Sequence, residues 1–176
     1  MAVVVFGSIN LDLILRVPSL PRPGETILSQ SSEMQPGGKG ANQALAAQRS
    51  GRSDVRLVAC VGTDAFAEPA LALLAEAGVG LGAVRRVPGP TGIASISVAA
   101  DGQNQIVVAA GANTALRADD LPDSWLDPET LLVLQMETDP AENLAVAARA
   151  AERGARIILN VAPAAAVPPA MLDLVD

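Results

Sequence analysis

The stretch that most constrains this chain is Gln35 to Ala47, QPGGKGANQALAA. Gly37 and Gly38 follow Pro36 and precede Lys39 and Gly40, and from Ala41 onward the residues are strong helix formers. The pattern predicts a loop running into a helix N-terminus. Glycine permits positive φ and close approach of backbone to a ligand, and the first N–H groups of a helix have no intrahelical partners. Such a place binds something polar, with Lys39 and Asn42 the first side chains expected against it. The plainer reading is a glycine turn capping an ordinary helix.

Two nucleotide motifs lie close to this pattern and fail. The phosphate loop of the P-loop hydrolases needs a glycine five residues before the Gly of its Gly-Lys pair and a Ser or Thr after the Lys. Glu33 and Gly40 occupy those positions. Gly78-Val79-Gly80-Leu81-Gly82 approaches a dinucleotide fingerprint, but it follows a helical pattern and does not open a helix, so it reads as a linker.

Composition removes further classes of chemistry. The 176 residues contain no His, no Tyr and one Cys, which excludes Ser-His-Asp and Cys-His catalysis, His-ligated zinc and an intrachain disulfide. Cys60 sits in the apolar run Leu57 to Val61, where a buried structural thiol is expected. Half the residues are apolar, consistent with one globular domain, and a net charge of −7 argues against a nucleic-acid partner. No apolar run reaches a membrane span, and MAVVVFGSIN lacks a basic signal-peptide start, so a cytoplasmic protein with no membrane partner is expected.

Along the chain, Ala2 to Phe6 is a short apolar run of β-formers, as in a strand buried on both faces. Its end delivers Ser8, Asn10 and Asp12, and in parallel sheets ligands sit beyond such ends. A turn is the plain alternative. Leu13 to Val17 alternates, the PSLPRPGET stretch breaks, and Thr26 to Met34 reads as a half-buried strand. With Thr91 to Ala99 and Gln105 to Ala110, joined by a two-residue Asp101-Gly102 turn, these segments predict a small antiparallel flap. Between and after them come a strand at Val55 to Val61, a helix at Asp64 to Ala77 capped by Asp64 and stopped by Gly78, and a strand at Ala83 to Val87. A strand at Thr130 to Met136, a helix at Pro140 to Arg153, a strand at Ala155 to Val161 and a helix near Pro168 to Leu174 complete the pattern. Strands alternating with helices imply parallel crossovers. The acidic stretches Asp119 to Asp127 and Glu129 to Asp139 read as a solvated face or an interaction surface.

The segments GSINLD (Gly7 to Asp12), PRPGET (Pro21 to Thr26), GGKGANQA (Gly37 to Ala44), CVGTDAFAE (Cys60 to Glu68), AGANTAL (Ala110 to Leu116) and LQMET (Leu134 to Thr138) together resemble the ribokinase (PfkB) family of sugar kinases in order and approximate spacing. The resemblance covers essentially the whole chain and matches the N-terminal portion of that family. It implies an α/β fold, a three-layer α/β/α arrangement with a mainly parallel central sheet and a small β-lid, incomplete at the C-terminus. Residues 1–176 would form the N-terminal part of one domain, with lid segments at about 12–34 and 91–110.

What the resemblance implies for the site can be stated by position. Asn10, Leu11, Asp12, Gly38, Lys39, Gly40, Ala41, Asn42 and Glu137 would bind substrate. Asn10 and Asp12 would hydrogen-bond sugar hydroxyls, the Gly38 to Asn42 segment would wrap the sugar with Lys39 and Asn42 as donors, and Glu137 would meet it from the end of a central strand. The family reaction transfers the ATP γ-phosphate to the 5-hydroxyl of D-ribose, with Mg²⁺ on the phosphates and K⁺ as the usual monovalent ion. The lid would pair two subunits as a homodimer. The family's Gly-Ala-Gly-Asp turn, which carries the general-base Asp, its Asn-x-x-Glu motif and its adenine loops do not occur here. That base is expected beyond Asp176, and the chain alone is expected to be inactive, as a fragment of a working kinase or as a natural remnant. Kinases of deoxyribose, fructose or ketodeoxygluconate are the rivals, and a non-catalytic sugar-binding or dimerisation module is the alternative from another class. A nucleoside is disfavoured, because its base would want an aromatic platform and only Phe6, Phe66 and Trp125 are aromatic.

Overall fold

The structure is a computed structural model that describes residues 1–51 and 54–176. Its strands are β1 (Ala2–Phe6), β2 (Asn10–Val17), β3 (Ser31–Gly37), β4 (Val55–Val61), β5 (Gly80–Arg86), β6 (Gly92–Ala99), β7 (Asn104–Ala109), β8 (Thr130–Gln135) and β9 (Arg156–Asn160). The helices are α1 (Lys39–Arg49), α2 (Ala67–Ala77), α3 (Pro140–Glu152) and the single turn α4 (Pro169–Leu172). A five-stranded sheet runs β5-β4-β1-β8-β9 with every pairing parallel.

The apolar runs of β1 and β4 follow from burial on both faces. Val3 and Val5 of β1 pack with Leu57, Ala59 and Val61 against Ala41 and Ala44 of α1 and Ala67, Ala70 and Leu74 of α2. Val4 and Phe6, pointing the other way, join Cys60, Leu132, Leu134 and Ile157 against Val146, Ala147 and Ala150 of α3. Alternate residues of one strand therefore serve two cores, which makes three layers. Alanines dominate the buried helix faces, so the helices lie close on the sheet. The α3 boundaries are local: Asp139 accepts a hydrogen bond from the Ala141 N–H at 2.8 Å and Pro140 holds the first turn.

A second sheet, β3-β2-β6-β7, stands off the first. It is mixed and not antiparallel as expected: β2 pairs antiparallel with β3 but parallel with β6 from Asn10↔Gly92 to Val17↔Ala99. The cause is connectivity, since β6 arrives after α1, β4, α2 and β5 and enters the flap in the same direction as β2. Strand β3 lies C-terminal to the expected Thr26 to Met34, because its ladder opens at Arg16↔Ser31 and closes at Asn10↔Gly37. Glu25 is taken up in a turn with Arg22, donating to and accepting from its backbone. Pro36 is tolerated within β3 because that strand is an edge.

Three further expectations are corrected. Asp64 does not cap α2, which starts at Ala67 without a side-chain cap; its carboxylate accepts instead from the Thr91 N–H at 3.1 Å and the Thr91 hydroxyl at 2.6 Å. Gly80 to Gly82 open β5 and are not a linker, because parallel pairing to β4 extends β5 back to Gly80. The β6–β7 turn has three residues between Ala99 and Gln103, whose backbones pair, with Gly102 at φ 86°. The acidic stretch at Asp119 to Asp127 is also partly spoken for. Asp120 pairs with Arg85 at 2.9 Å, and Asp123 pairs with Arg149 of α3 and with Arg153 just beyond its end.

Candidate substrate site

Strand order places β1 at the point where the sheet was extended both ways, to β4 and β5 on one side and to β8 and β9 on the other. Crevices open beyond the carboxyl ends of strands at such switch points. Here the loop after β1 carries Ser8 and leads into β2 with Asn10 and Asp12, while the end of β8 leads to Glu137. The flap folds over this crevice.

A cavity of about 460 Å³ results, lined by Asn10, Asp12, Gly38, Lys39, Asn42, Asn113 and Glu137 on its polar side. Ala94 and Ile96 of β6, Ile106 and Val108 of β7, Ala110 and Pro163 form the apolar side. The volume is within the usual range for small-molecule sites. None of the lining residues is aromatic. Phe6 is buried in the core and the Trp125 ring is covered by the Arg56 guanidinium at 4.9 Å.

The N-terminus of α1 is not a free anion hole. Its Lys39 N–H donates to Glu137 Oε2 at 2.9 Å, the Gly40 N–H to Ser8 Oγ at 3.2 Å, and the Ala41 N–H to the Ser8 carbonyl at 2.9 Å. Ser8 Oγ in turn donates to Glu137 Oε2 at 2.6 Å, and Lys39 Nζ lies 3.6 Å from Glu137 Oε1. Glu137 is thus the carboxylate that caps α1, delivered from another strand, where the helix dipole and charge-assisted hydrogen bonds favour it. Gly38, the residue before α1, sits at φ 91°, and a Cβ there would lie 2.7 Å from the Asn10 nitrogen and 2.9 Å from Ile9 Cα. Glycine is required by conformation and by room alike.

Six of the nine expected substrate residues, Asn10, Asp12, Gly38, Lys39, Asn42 and Glu137, meet at this cavity. Leu11, Gly40 and Ala41 do not line it. Leu11 alternates to the opposite face of β2 and is buried in the core, Ala41 packs in the same core, and the amides of Gly40 and Ala41 are consumed by Ser8. Two residues missing from that expectation belong to the arrangement. Ser8 ties Glu137 to α1, and Asn113 lines the cavity beside Asn10; both lie inside motifs already visible, GSINLD and AGANTAL, but their partners are more than 100 residues away.

Electrostatically the site pairs two carboxylates with one ammonium. Burial raises the Asp12 pKa above its ordinary value, the Glu137 charge raises it further, and Lys39 partly offsets both. Among the described residues no three carboxylate or thiol groups converge to hold a metal ion. With the Lys39, Gly40 and Ala41 amides already bonded, this end of α1 also lacks the free donors of a phosphate cradle.

The sequence pattern of the pfkB family carbohydrate kinase group matches residues 2–176. The chain belongs to this family. It is 39% identical over 176 residues to a ribokinase of Lactococcus lactis subsp. lactis (strain IL1403), covering 99% of this chain and 58% of that relative. Its fold matches a ribokinase of Thermotoga maritima with a TM-score of 0.90 at 32% identity, over 99% of this chain and 57% of the other. An Arabidopsis thaliana ribokinase, solved in complex with ribose and ATP, matches with a TM-score of 0.83 at 30% identity, over 99% and 58% of the two chains. The chain therefore spans a little over half the length of these three relatives. Among the described residues no helix is long and apolar enough to cross a membrane.

Proposed function

We propose that this chain is the sugar-binding part of an ATP-dependent kinase that phosphorylates the 5-hydroxyl of D-ribose. The observation that carries the reading is the convergence of Asn10, Asp12, Lys39, Asn42 and Glu137 on one cavity whose opposite wall is apolar. A pentose is neutral and dense in hydroxyls. Carboxylates accept from those hydroxyls, Lys39 and the amides donate to them, and the Ile96, Ile106 and Val108 wall covers the carbon face of the ring. Buried polar groups of this kind discriminate strongly, because an analogue lacking a hydroxyl leaves one of them unpaired.

In this reading residues 1–176 are the N-terminal part of one domain, with the flap as its lid. The general base, ATP, Mg²⁺ and K⁺ would be held by further sequence, as the family resemblance implies. When bound, the metal and nucleotide would supply the phosphoryl group and neutralise its charge. The residues present here bind and orient the sugar. Strand β7 is an edge of the lid sheet, and its Val107, 68% accessible, alternates away from the cavity-lining Ile106 and Val108; this supports a homodimer formed through the lid. A cytoplasmic location accords with the reading.

The test is calorimetric binding of a pentose and hexose panel, with deoxyribose and fructose included, followed by ATP-dependent turnover on the protein with any sequence that continues it. D-ribose binding with turnover supports a ribokinase. Preference for another sugar reassigns the substrate within the family, binding without turnover selects a non-catalytic sugar-binding module, and no sugar binding refutes the proposal.

A further inference from the structure

Asn113 is almost fully buried and is gripped by the backbone of Ile9 on both sides. Its Oδ1 accepts from the Ile9 N–H at 2.9 Å, and its Nδ2 donates to the Ile9 carbonyl at 3.1 Å. A backbone N–H can only donate and a carbonyl can only accept, so the orientation of the Asn113 amide is determined. Its second Nδ2 hydrogen reaches the side chain of Asn10 at 2.8 Å. The Asn10 atom that receives it must be an acceptor, Oδ1. Asn10 Nδ2 then has no hydrogen-bond acceptor among the described residues, although the side chain is only 2% exposed and lines the cavity. It is the donor left facing the cavity, open to solvent in the empty site and available to a ligand.

Gly92 makes the pair possible. A Cβ at this position would lie 2.2 Å from Asn10 Oδ1, 2.4 Å from Asn113 Nδ2 and 2.9 Å from the Ile9 carbonyl. The base of β6 is therefore bare where the two amides lie against it.

We propose that Asn113 is a positioning residue that sets the polarity of Asn10, so that the cavity presents a donor there and reads its ligand at that point as an acceptor. The inference rests on the sugar-binding reading for the identity of the ligand, and on the Ile9–Asn113–Asn10 chain of hydrogen bonds for the polarity. A hydroxyl satisfies such a donor, and so does a fluorine in its place, whereas a hydrogen does not.

Two measurements test it. In side-chain amide NMR of the ligand-free protein, the Asn113 NH₂ protons should exchange slowly and the Asn10 NH₂ protons quickly; in Asn113→Asp, the Asn10 amide turns to donate to the new carboxylate and its protons become the slow ones. Protected Asn10 protons in the parent protein overturn the proposal whether or not any sugar binds, while the expected exchange pattern with no sugar binding refutes only the sugar reading. In binding, a series of deoxyfluoro and deoxy pentoses should contain one position at which fluorine is tolerated and hydrogen costs tenfold or more. Asn10→Asp and Asn113→Asp should each lower the fluoro-to-hydroxyl affinity ratio at that position at least tenfold. Gly92→Ala, which disturbs the pair without changing its polarity, should weaken both ligands in parallel. Equal loss of fluoro and hydroxyl sugars in Asn113→Asp would mean a merely structural role and would overturn the assignment.

Discussion

Replacing Ser8 by Ala tests the idea that Glu137 is built into the fold as the cap of α1. Ser8 is fully buried, its hydroxyl donates to Glu137 Oε2 at 2.6 Å, and it accepts from the Gly40 N–H at 3.2 Å. Alanine removes one hydrogen bond to a charged group, worth about 1.5–3 kcal/mol, and orphans a buried backbone donor at about 1–3 kcal/mol. The two losses share one atom and do not add in full, so a destabilisation of about 2–4 kcal/mol is expected. At about 2–4 °C per kcal/mol for a chain of this size, Tm should fall by roughly 10 °C. Urea denaturation of the parent, Ser8→Ala, Glu137→Ala and the double variant isolates the bond. With Glu137 absent, Ser8→Ala loses only the Gly40 contact and should cost about 1–2 kcal/mol, leaving a coupling of about 1–2 kcal/mol. A Ser8→Ala protein within about 0.5 kcal/mol of the parent, or an equal cost in both backgrounds, would refute the reasoning.

Asp12→Asn should stabilise the ligand-free protein while abolishing sugar binding. The folded Asp12 pKa is raised above 3.8, by burial first and then by Glu137, so the native state holds this proton more tightly and stability falls as pH rises from 3.8 through the folded value. Relief of that cost should raise Tm at neutral pH; a lower Tm at pH 7 would contradict it. Thr91→Val removes the hydroxyl that bridges the Gly62 N–H and the Asp64 carboxylate and should cost about 1.5–3 kcal/mol in chemical denaturation. Because the Thr91 hydrogen bonds lower the Asp64 pKa, their stabilisation is present above 3.8 and lost as pH falls through the folded value, so the acid-side slope of stability should flatten in the variant. Cys60 is fully buried, with its pKa raised by burial, and should react with a thiol reagent no faster than the protein unfolds; rapid labelling of the native state would place it elsewhere.

Much of the architecture was legible because its signals are local. The two-faced apolar runs at Ala2 to Phe6 and Val55 to Val61, the Pro140 start of α3 and the Gly38 to α1 junction each depend on residues within a turn or two of one another. Local chemistry also identifies candidates, since Asn10, Asp12, Lys39 and Asn42 lie in loop and helix-start patterns that bind polar groups. What those patterns leave open is which partner each group finds. The outward α1 amides suggest a polar ligand, but their partners are Ser8 and Glu137 of the chain itself, the latter 98 residues beyond Lys39. Asn113 acquires its role only when Gly111 to Ala115 is carried against Ile9, 104 residues earlier. The same holds for the flap: alternation in Leu13 to Val17 and in Thr91 to Ala99 marks two strands, yet their parallel pairing is set by the direction from which β6 returns after the intervening α/β units. Periodicity and capping act over one or two turns of chain, whereas hydrogen-bond satisfaction in a buried site is settled by whichever donors and acceptors the packed layers bring within about 3 Å.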